Sequence, residues 1–412
     1  MIRLLHTADW HLGHQLAGWD RAHEHARFFD ALVAIVAERE VDGLVVAGDI
    51  FDHQNPSADA ERLLIETLDR LKAARPSLTT VLVAGNHDSA GRIEVPRALY
   101  ARAGVHAVGS VRARDAAPDL SRHLVPITDA AGDVGACVLA IPYLRAADLP
   151  GLGAAPEAGA PSPIAAAVAR VYATHVEAAR AAIGDLPLVA TGHLHVGGAA
   201  LSESASERRI LVGGEHAVPA SVFPGTLAYV ALGHLHKPQP VGRDTIRYAG
   251  APFPMSAAEQ GYRHGVSLVT LDAGTVDAEH LEIPRPVEFL RVPATGRVAP
   301  DGLAEAFAAL ALDSDLAERD RPFVQVMIAL DGPAPTLHAM VDEIAADYPV
   351  RIVAIDVARP QAEVATPAAV PVRLADCAPE DLFRAAFRAA HGTEPEAAHL
   401  AAFARALEEA AT

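Results

Sequence analysis

Five short clusters in this chain carry the residue types that hold divalent cations: Asp9-x-His11, Asp49, Asn86-His87, His193 and His234-x-His236. Carboxylate and amide oxygens mixed with imidazole nitrogens, without thiolate, suit Mn, Fe or Zn, and Mn is favoured if the ion is six-coordinate. Singly, each cluster reads as a turn or a helix cap. Together they share a context: each follows a short apolar run, among them Leu44-Val45-Val46-Ala47, Val81-Leu82-Val83-Ala84, Leu188-Val189-Ala190 and Tyr229-Val230-Ala231-Leu232. Such runs mark buried strands. Open α/β sheets gather their ligands just past the carboxyl ends of strands, so the five clusters are expected at one sheet edge.

Two ions about 3.5–4 Å apart need one shared anion and about three further ligands each. Asp49, past the tight turn at Gly48, is the natural bridge. A workable division gives one ion Asp9, His11, Asp49 and His236, and the other Asp49, Asn86, His193 and His234. Such a pair acidifies water and clamps a phosphoryl oxygen, so the expected chemistry is hydrolysis at phosphorus. His87 is not needed as a ligand and is the candidate to protonate the leaving oxygen or contact the phosphate. His14, His53, His195, His216 and His264 are read as ordinary core or surface histidines.

The elements that must position these residues follow from periodicity. Asp9, Asp49 and Asn86 are each separated by about 40 residues, one strand-helix-strand unit. The first intervening helix carries Phe29, Leu32, Val33 and Val36; the second carries Leu64, Leu68 and Leu71 and is capped by Ser57. Residues 150–163 read as a surface loop, before an Ala-rich helix near 164–183. Pro284 and Pro286 mark a domain edge, beyond which Val324, Val326 and Ile328 alternate as in a small α+β module. The expected divisions are 1–280, 281–358, a linker at 359–372, and helices over 373–412. Thr393-x-x-Glu396 reads as a capping box for the last helix.

Composition sets the bounds. A chain of 412 residues is expected to hold two or three domains. No apolar run reaches the ~18 residues of a membrane span. The N-terminus has no secretory pattern, and two isolated cysteines, Cys137 and Cys377, suit a reducing cytoplasm. A net charge of −18 disfavours broad binding to a polyanion unless cations and a partner supply the positive field.

The motifs Asp9-x-His11, Gly48-Asp49-x-x-Asp52, Gly85-Asn86-His87-Asp88, Gly192-His193 and Gly233-His234-x-His236 resemble the calcineurin-like metallophosphoesterases. With His6-Thr7-Ala8 before Asp9, Ile141-Pro142-Tyr143-Leu144-Arg145, and Ala231-Leu232 before Gly233, the resemblance is closer to the SbcD-type nuclease subfamily and spans roughly residues 1–280. It implies a two-sheet αββα sandwich with a small α+β capping domain and C-terminal helices. It also implies an ATP-dependent exonuclease on duplex ends and an endonuclease on single strands or hairpins, usually with Mn, serving DNA repair, recombination and replication. The implied partners are DNA, a second copy through the nuclease domain, and an SbcC-type coiled-coil ATPase bound by the C-terminal helices. The implied setting is cytoplasmic and nucleoid-associated. Ala251 and Ala257 stand where the subfamily often has Ser and Phe; neither is expected to touch a ligand. The rival activity is a stand-alone phosphodiesterase for small phosphoesters, and the rival without chemistry is a scaffold that keeps only the fold.

Overall fold

A computed structural model describes the chain except residues 112–117, 150–161, 201–216, 331–335, 359–378, 392 and 411–412. The apolar runs form strands whose alternate residues enter different cores. In β4 (Gly43–Ala47), Leu44 and Val46 face the helices while Val45 faces a second sheet. In β9 (Leu188–His193), Leu188 and Ala190 join one core and Val189 the other. A strand buried on both faces has no polar alternation, which is why these runs read as continuous.

The first sheet has the order β14 (Thr275–Glu282), β13 (Gly265–Asp272), β1 (Ile2–Thr7), β4, β5 (Thr79–Val83) and β6 (Val105–Val108). The second has the order β11 (Gln239–Val241), β12 (Arg243–Tyr248), β10 (Tyr229–Gly233), β9, β8 (Val134–Leu139) and β7 (Leu124–Thr128). Val81, Val138, Val189, Ala231 and Val269 fill the space between them. Helix α1 (Ala22–Glu38) covers the first sheet with Phe28, Phe29, Leu32 and Val36, while Val33 sits at the flank. Beside it lies α2 (Ala58–Ala74), where Ser57 Oγ accepts from Ala60 N–H at 3.2 Å. Two short helices, α3 (Ala90–Glu94) and α4 (Arg97–Arg102), lead into β6, and α5 (Leu120–His123) leads into β7. The outer face of the second sheet is covered by α6 (Pro163–Ile183) through Val168, Val171, Tyr172 and Val176.

Parallel register aligns strand ends. Leu5 pairs with Leu44 and Val46 with Leu82, so the loops after β1, β4 and β5 emerge side by side. Gly233 pairs with His193, aligning the ends of β9 and β10 in the other sheet. The five clusters therefore come from two facing sheets, three from one and two from the other, rather than from one edge.

A small hairpin, β2 (Gln15–Leu16) with β3 (Trp19–Asp20), follows the β1 loop. A third sheet of parallel strands contains β15 (Phe289–Val292), β16 (Phe323–Ala329) and β17 (Arg351–Ala358). Val324, Val326 and Ile328 pack with α7 (Leu303–Ala308) and α8 (Leu337–Ala345), while Phe323 on the other face packs with Phe289 and Leu16. Residues Met1–Ala358 form one compact unit, with the proline pair near 284 inside it; Arg359–Thr412 form a second.

In the second unit α9 (Pro379–His391) and α10 (Ala397–Ala410) pair through aromatic rings. Phe383 stacks on Phe403 at 4.4 Å and Phe387 meets His399 at 4.8 Å. The capping box expected at Thr393 is displaced. The helix starts at Ala397, and His399 Nδ1 accepts from Glu396 N–H at 3.2 Å. Pro395 is the physical reason, because the residue before a proline is driven out of the helical region. The expected linker at 359–372, Cys377, His216 and most of the loop at 150–163 lie outside the described residues. Among the described residues no helix is long and apolar enough to cross a membrane.

Candidate metal centre

The loops after β1 and β4 are laced together before any side chain is placed. Asp9 N–H donates to Gly48 O, and His11 N–H to Asp49 O, both at 3.0 Å. Asp9, His11, Asp49 and His234 all hold φ between +47° and +99°. L-residues rarely adopt such angles, and the strain concentrates where surrounding contacts over-determine the backbone. Glycine is required beside them. A Cβ at Gly85 would overlap the Asp49 carboxylate, and one at Gly48 would overlap the His193 ring.

The seven expected ligands converge. Donor atoms of Asp9, His11 and His236 lie within 4.8 Å of one another, as do those of Asp49, His193 and His234. Asn86 Oδ1 is 3.0 Å from both His193 Nε2 and His234 Nδ1. Asp49 stands between the groups. Its Oδ1 accepts from His87 N–H at 2.9 Å, which aims Oδ2 inward, 3.2 Å from His193 Nε2 and 3.7 Å from His11 Nε2.

Three of the imidazoles are oriented by a partner on Nδ1. His193 Nδ1 donates to Ala47 O at 2.8 Å. His11 Nδ1 lies 3.1 Å from Asp52 Oδ1, and His236 Nδ1 lies 3.1 Å from Glu259 Oε1. Protons held at Nδ1 leave the lone pairs on Nε2, the arrangement metal-binding histidines need.

Two buried atoms test whether a cation fits. Asp9 Oδ2 and His11 Nε2 are both buried and make no hydrogen bond. An orphaned buried carboxylate oxygen is costly, and a cation resolves the cost. The electrostatics agree. Burial alone would raise Asp49, but His193, then His11 and His87, hold its carboxyl well below the usual range. Burial pushes Asp9 up, with Asp49 adding to the effect. Burial lowers His193, yet Asp49 overrides it and raises the ring to about 9. Burial, and then the His193 charge, drive His234 well down. Without metal, a proton on His193 supplies positive charge where the carboxylates demand it.

His87 is half-buried at the rim, its ring 4.9 Å from that of His11, with Nδ1 donating to Asp52 O at 2.8 Å. Of the histidines read as ordinary, His264 is a satisfied core residue bonded to Ala251 O and Glu259 O. His53 is exposed beside Asp52. His14 lies closer to the centre than expected: its ring is 6.4 Å from His11, and burial drives it down to about 3. His195 is buried just past β9. Ala251 does touch an expected ligand residue, since its N–H donates to His236 O at 3.1 Å.

Three carboxylates that carry no role in the sequence reading support the site. Asp52 orients His11. Asp88 accepts from Gly85, Ile50 and Phe51 N–H at 2.8–3.1 Å and pins the β4 loop to the β5 loop. Asp52 and Asp88 lie inside the Gly48–Asp52 and Gly85–Asp88 motifs, so a local signal for them exists. Glu259, fully buried behind His236, has none. Arg145 donates to Asp88 O at 2.8 Å, which gives the Pro142–Arg145 motif its place.

Residues 2–121 match a family model described as calcineurin-like phosphoesterase, a match that implies divalent-metal binding. Residues 285–391 match one described as type 5 capsule protein repressor C-terminal domain, extending the likeness past residue 280. The chain is 46% identical over 387 residues to the SbcD subunit of the SbcCD nuclease of Rhodobacter capsulatus, covering 94% of both. It is 32% identical over 371 residues to that of Escherichia coli K12, covering 88% of this chain and 86% of the relative. With that of Bacillus subtilis the figures are 34% over 275 residues, 66% and 67%. The chain belongs to the SbcD family of calcineurin-like phosphoesterases.

Proposed function

We propose that this chain is a two-metal DNA nuclease that hydrolyses phosphodiester bonds. The observation that carries the reading is the single oxygen Asp49 Oδ2, facing an imidazole of each donor group. Asp9, His11 and His236 would hold one ion, and Asn86, His193 and His234 the other, with Asp49 shared. Manganese suits this mixed O/N set, which lacks thiolate. When bound, such a pair would lower the pKa of water and draw charge from a phosphoryl oxygen. The protein's own part is positioning. Ala47 O, Asp52 and Glu259 hold the imidazole orientations, and His87 N–H holds Asp49. With Nδ1 committed to Asp52 O, the His87 ring can hold a proton at Nε2 for the departing oxygen.

The relatives are named as components of the SbcCD nuclease. On that basis the partner of this chain is an SbcC-type ATPase docked on the helices of 373–412. The complex would act as an ATP-dependent exonuclease on duplex ends and an endonuclease on single strands and hairpins. The partner also answers the charge objection by carrying much of the DNA contact. A homodimer through the nuclease domain is supported by an exposed apolar patch: Ile65, Val95 and Leu99 are 57%, 81% and 69% exposed. Ile65 and Val95 line a cavity of about 580 Å³ together with Leu64, Ile93 and Tyr100.

The deciding experiment is Mn-dependent degradation of a DNA duplex by the purified chain, with and without its ATPase. Degradation that needs both, and is lost in Asp49→Asn, is the expected result. Robust turnover of small phosphodiesters with no duplex cleavage under either condition would favour the stand-alone phosphodiesterase, which a net charge of −18 suits. Binding of fewer than about one ion per chain would favour the scaffold.

A further inference from the structure

Both donor groups stand on the loops of the two large sheets, and His234 N–H donates to Asp9 Oδ1 at 2.9 Å between them, but they differ in what lies behind one imidazole. Asn86, Asp49, His193 and His234 are oriented by atoms of the two large sheets and their loops: Ala47 O, His87 N–H and each other. The group of Asp9, His11 and His236 reaches further out. Just past His11, the β2–β3 hairpin places Leu16 and Trp19 against Phe289, Phe323 and Val353 of the third sheet. Trp19 Nε1 donates to Ile352 O of β17 at 3.2 Å. Arg21, buried at the end of the hairpin, lies over the Phe323 ring at 5.2 Å.

His236 reaches the same sheet by another route. Its partner Glu259 is locked, Oε2 accepting from Met255 N–H at 2.9 Å and Oε1 from Ser256 Oγ at 3.0 Å. Glu259 belongs to the short turn Ala257–Glu259, and Ala257 packs into the cluster of Phe289 and Phe323. The next residue, Gln260, has its amide 2.9 Å from that of Gln325 on β16, and Arg285 donates to its carbonyl. His236 thus leans, through Glu259, on a segment seated against the third sheet; His11 is oriented by Asp52 of the β4 loop and touches that sheet only through the hairpin that follows it.

We propose that the third sheet positions one half of the metal centre: its seat on Leu16, Trp19 and Ala257 holds Glu259 and, through it, His236, so a loosened seat weakens the ion at Asp9, His11 and His236 and spares the other. Glu259 is the positioning residue through which His236 reads that seat. This rests on the two-ion reading above. It makes the seating of the third sheet a control on whether the centre holds one ion or two. Anything that shifts the sheet would set metal occupancy without touching a ligand.

The test is Mn²⁺ titration calorimetry on the full chain, with electron paramagnetic resonance to separate coupled from single Mn²⁺. Glu259→Gln sets the benchmark, and Gln325→Ala and Phe323→Leu loosen the seat without touching a ligand. The expected result is that all three weaken the same single binding event by about ten- to a hundredfold and leave the other unchanged. The coupled-pair signal should give way to the mononuclear one at low metal. Should Phe323→Leu fail to fold by circular dichroism, Trp19→Phe, which removes the N–H to Ile352, replaces it. Equal weakening of both events, or no change in the seat variants, overturns the inference and leaves the two-ion reading standing. Fewer than about one ion on the unaltered chain sinks both.

Discussion

At the scale of residues, the candidate metal centre is a set of side chains whose orientation is set by second partners on Nδ1. His87 is the exception, a half-buried group at the rim that is proposed to act on the leaving oxygen rather than as a ligand. His87→Gln should lower turnover by about 10²–10⁴-fold while Mn stoichiometry, read by metal analysis, stays unchanged. Loss of both would make His87 structural. His193 carries a second prediction. Its pKa is raised from 6.5 to about 9 by Asp49, so near neutrality the metal-free ring holds a proton that a cation must displace. Mn uptake should release a proton, and affinity should rise with pH by up to about tenfold per unit until near 9. Titrations in buffers of differing ionisation enthalpy read this directly, and a pH-independent affinity would contradict it. The same raised pKa stabilises the metal-free fold fully below about 6.5, and that contribution is lost as pH climbs through 9.

At the scale of elements, parallel strands deliver the loops and Asp88 fastens them. Its carboxylate satisfies three buried N–H groups from two loops. Asp88→Ala strands all three, at roughly 1–3 kcal/mol for each donor left unpaired. The expected loss is about 3 kcal/mol or more, measured by urea unfolding, with Mn affinity falling alongside. Asp88→Asn, which keeps one acceptor oxygen, should cost less. The strand ends are legible in the sequence because apolar runs ending in Gly and a polar residue are local features. The assembly of the ends from two facing sheets is not. Continuous runs such as Leu44–Ala47 say that both faces are buried, but not what buries them. The last helix shows the limit at its smallest, where Pro395 outweighs a capping pattern begun two residues upstream.

At the scale of the whole molecule, the expected activity depends on partners. Removing residues 373–412 should leave Mn-dependent cleavage of an activated phosphodiester intact and abolish co-purification with the ATPase; unchanged co-purification would refute docking through those helices. Their aromatic pairing, Phe383 on Phe403, makes them a unit with its own internal contacts. Placing a charge in the exposed patch, as in Val95→Asp, should shift the chain from dimer to monomer by sedimentation at little cost in stability, because Val95 is exposed. A patch that plays no part in assembly would leave the sedimentation unaltered.

By itself, the sequence determined the candidate donor types, their spacing along the chain and the strands that present them, because residue chemistry and hydrophobic period are local properties. It also carried the family, since the motifs around Asp9, Asp49, Asn86 and His234 are local too. The expected division of donors about Asp49 was already legible; only the tertiary structure decided that the donors come from two facing sheets, that Oδ2 is the Asp49 oxygen turned to both groups, and that Glu259 stands behind His236. Those depend on how two sheets and a third pack. Packing is set by the sum of many contacts far apart in the chain, and no stretch of residues encodes it alone.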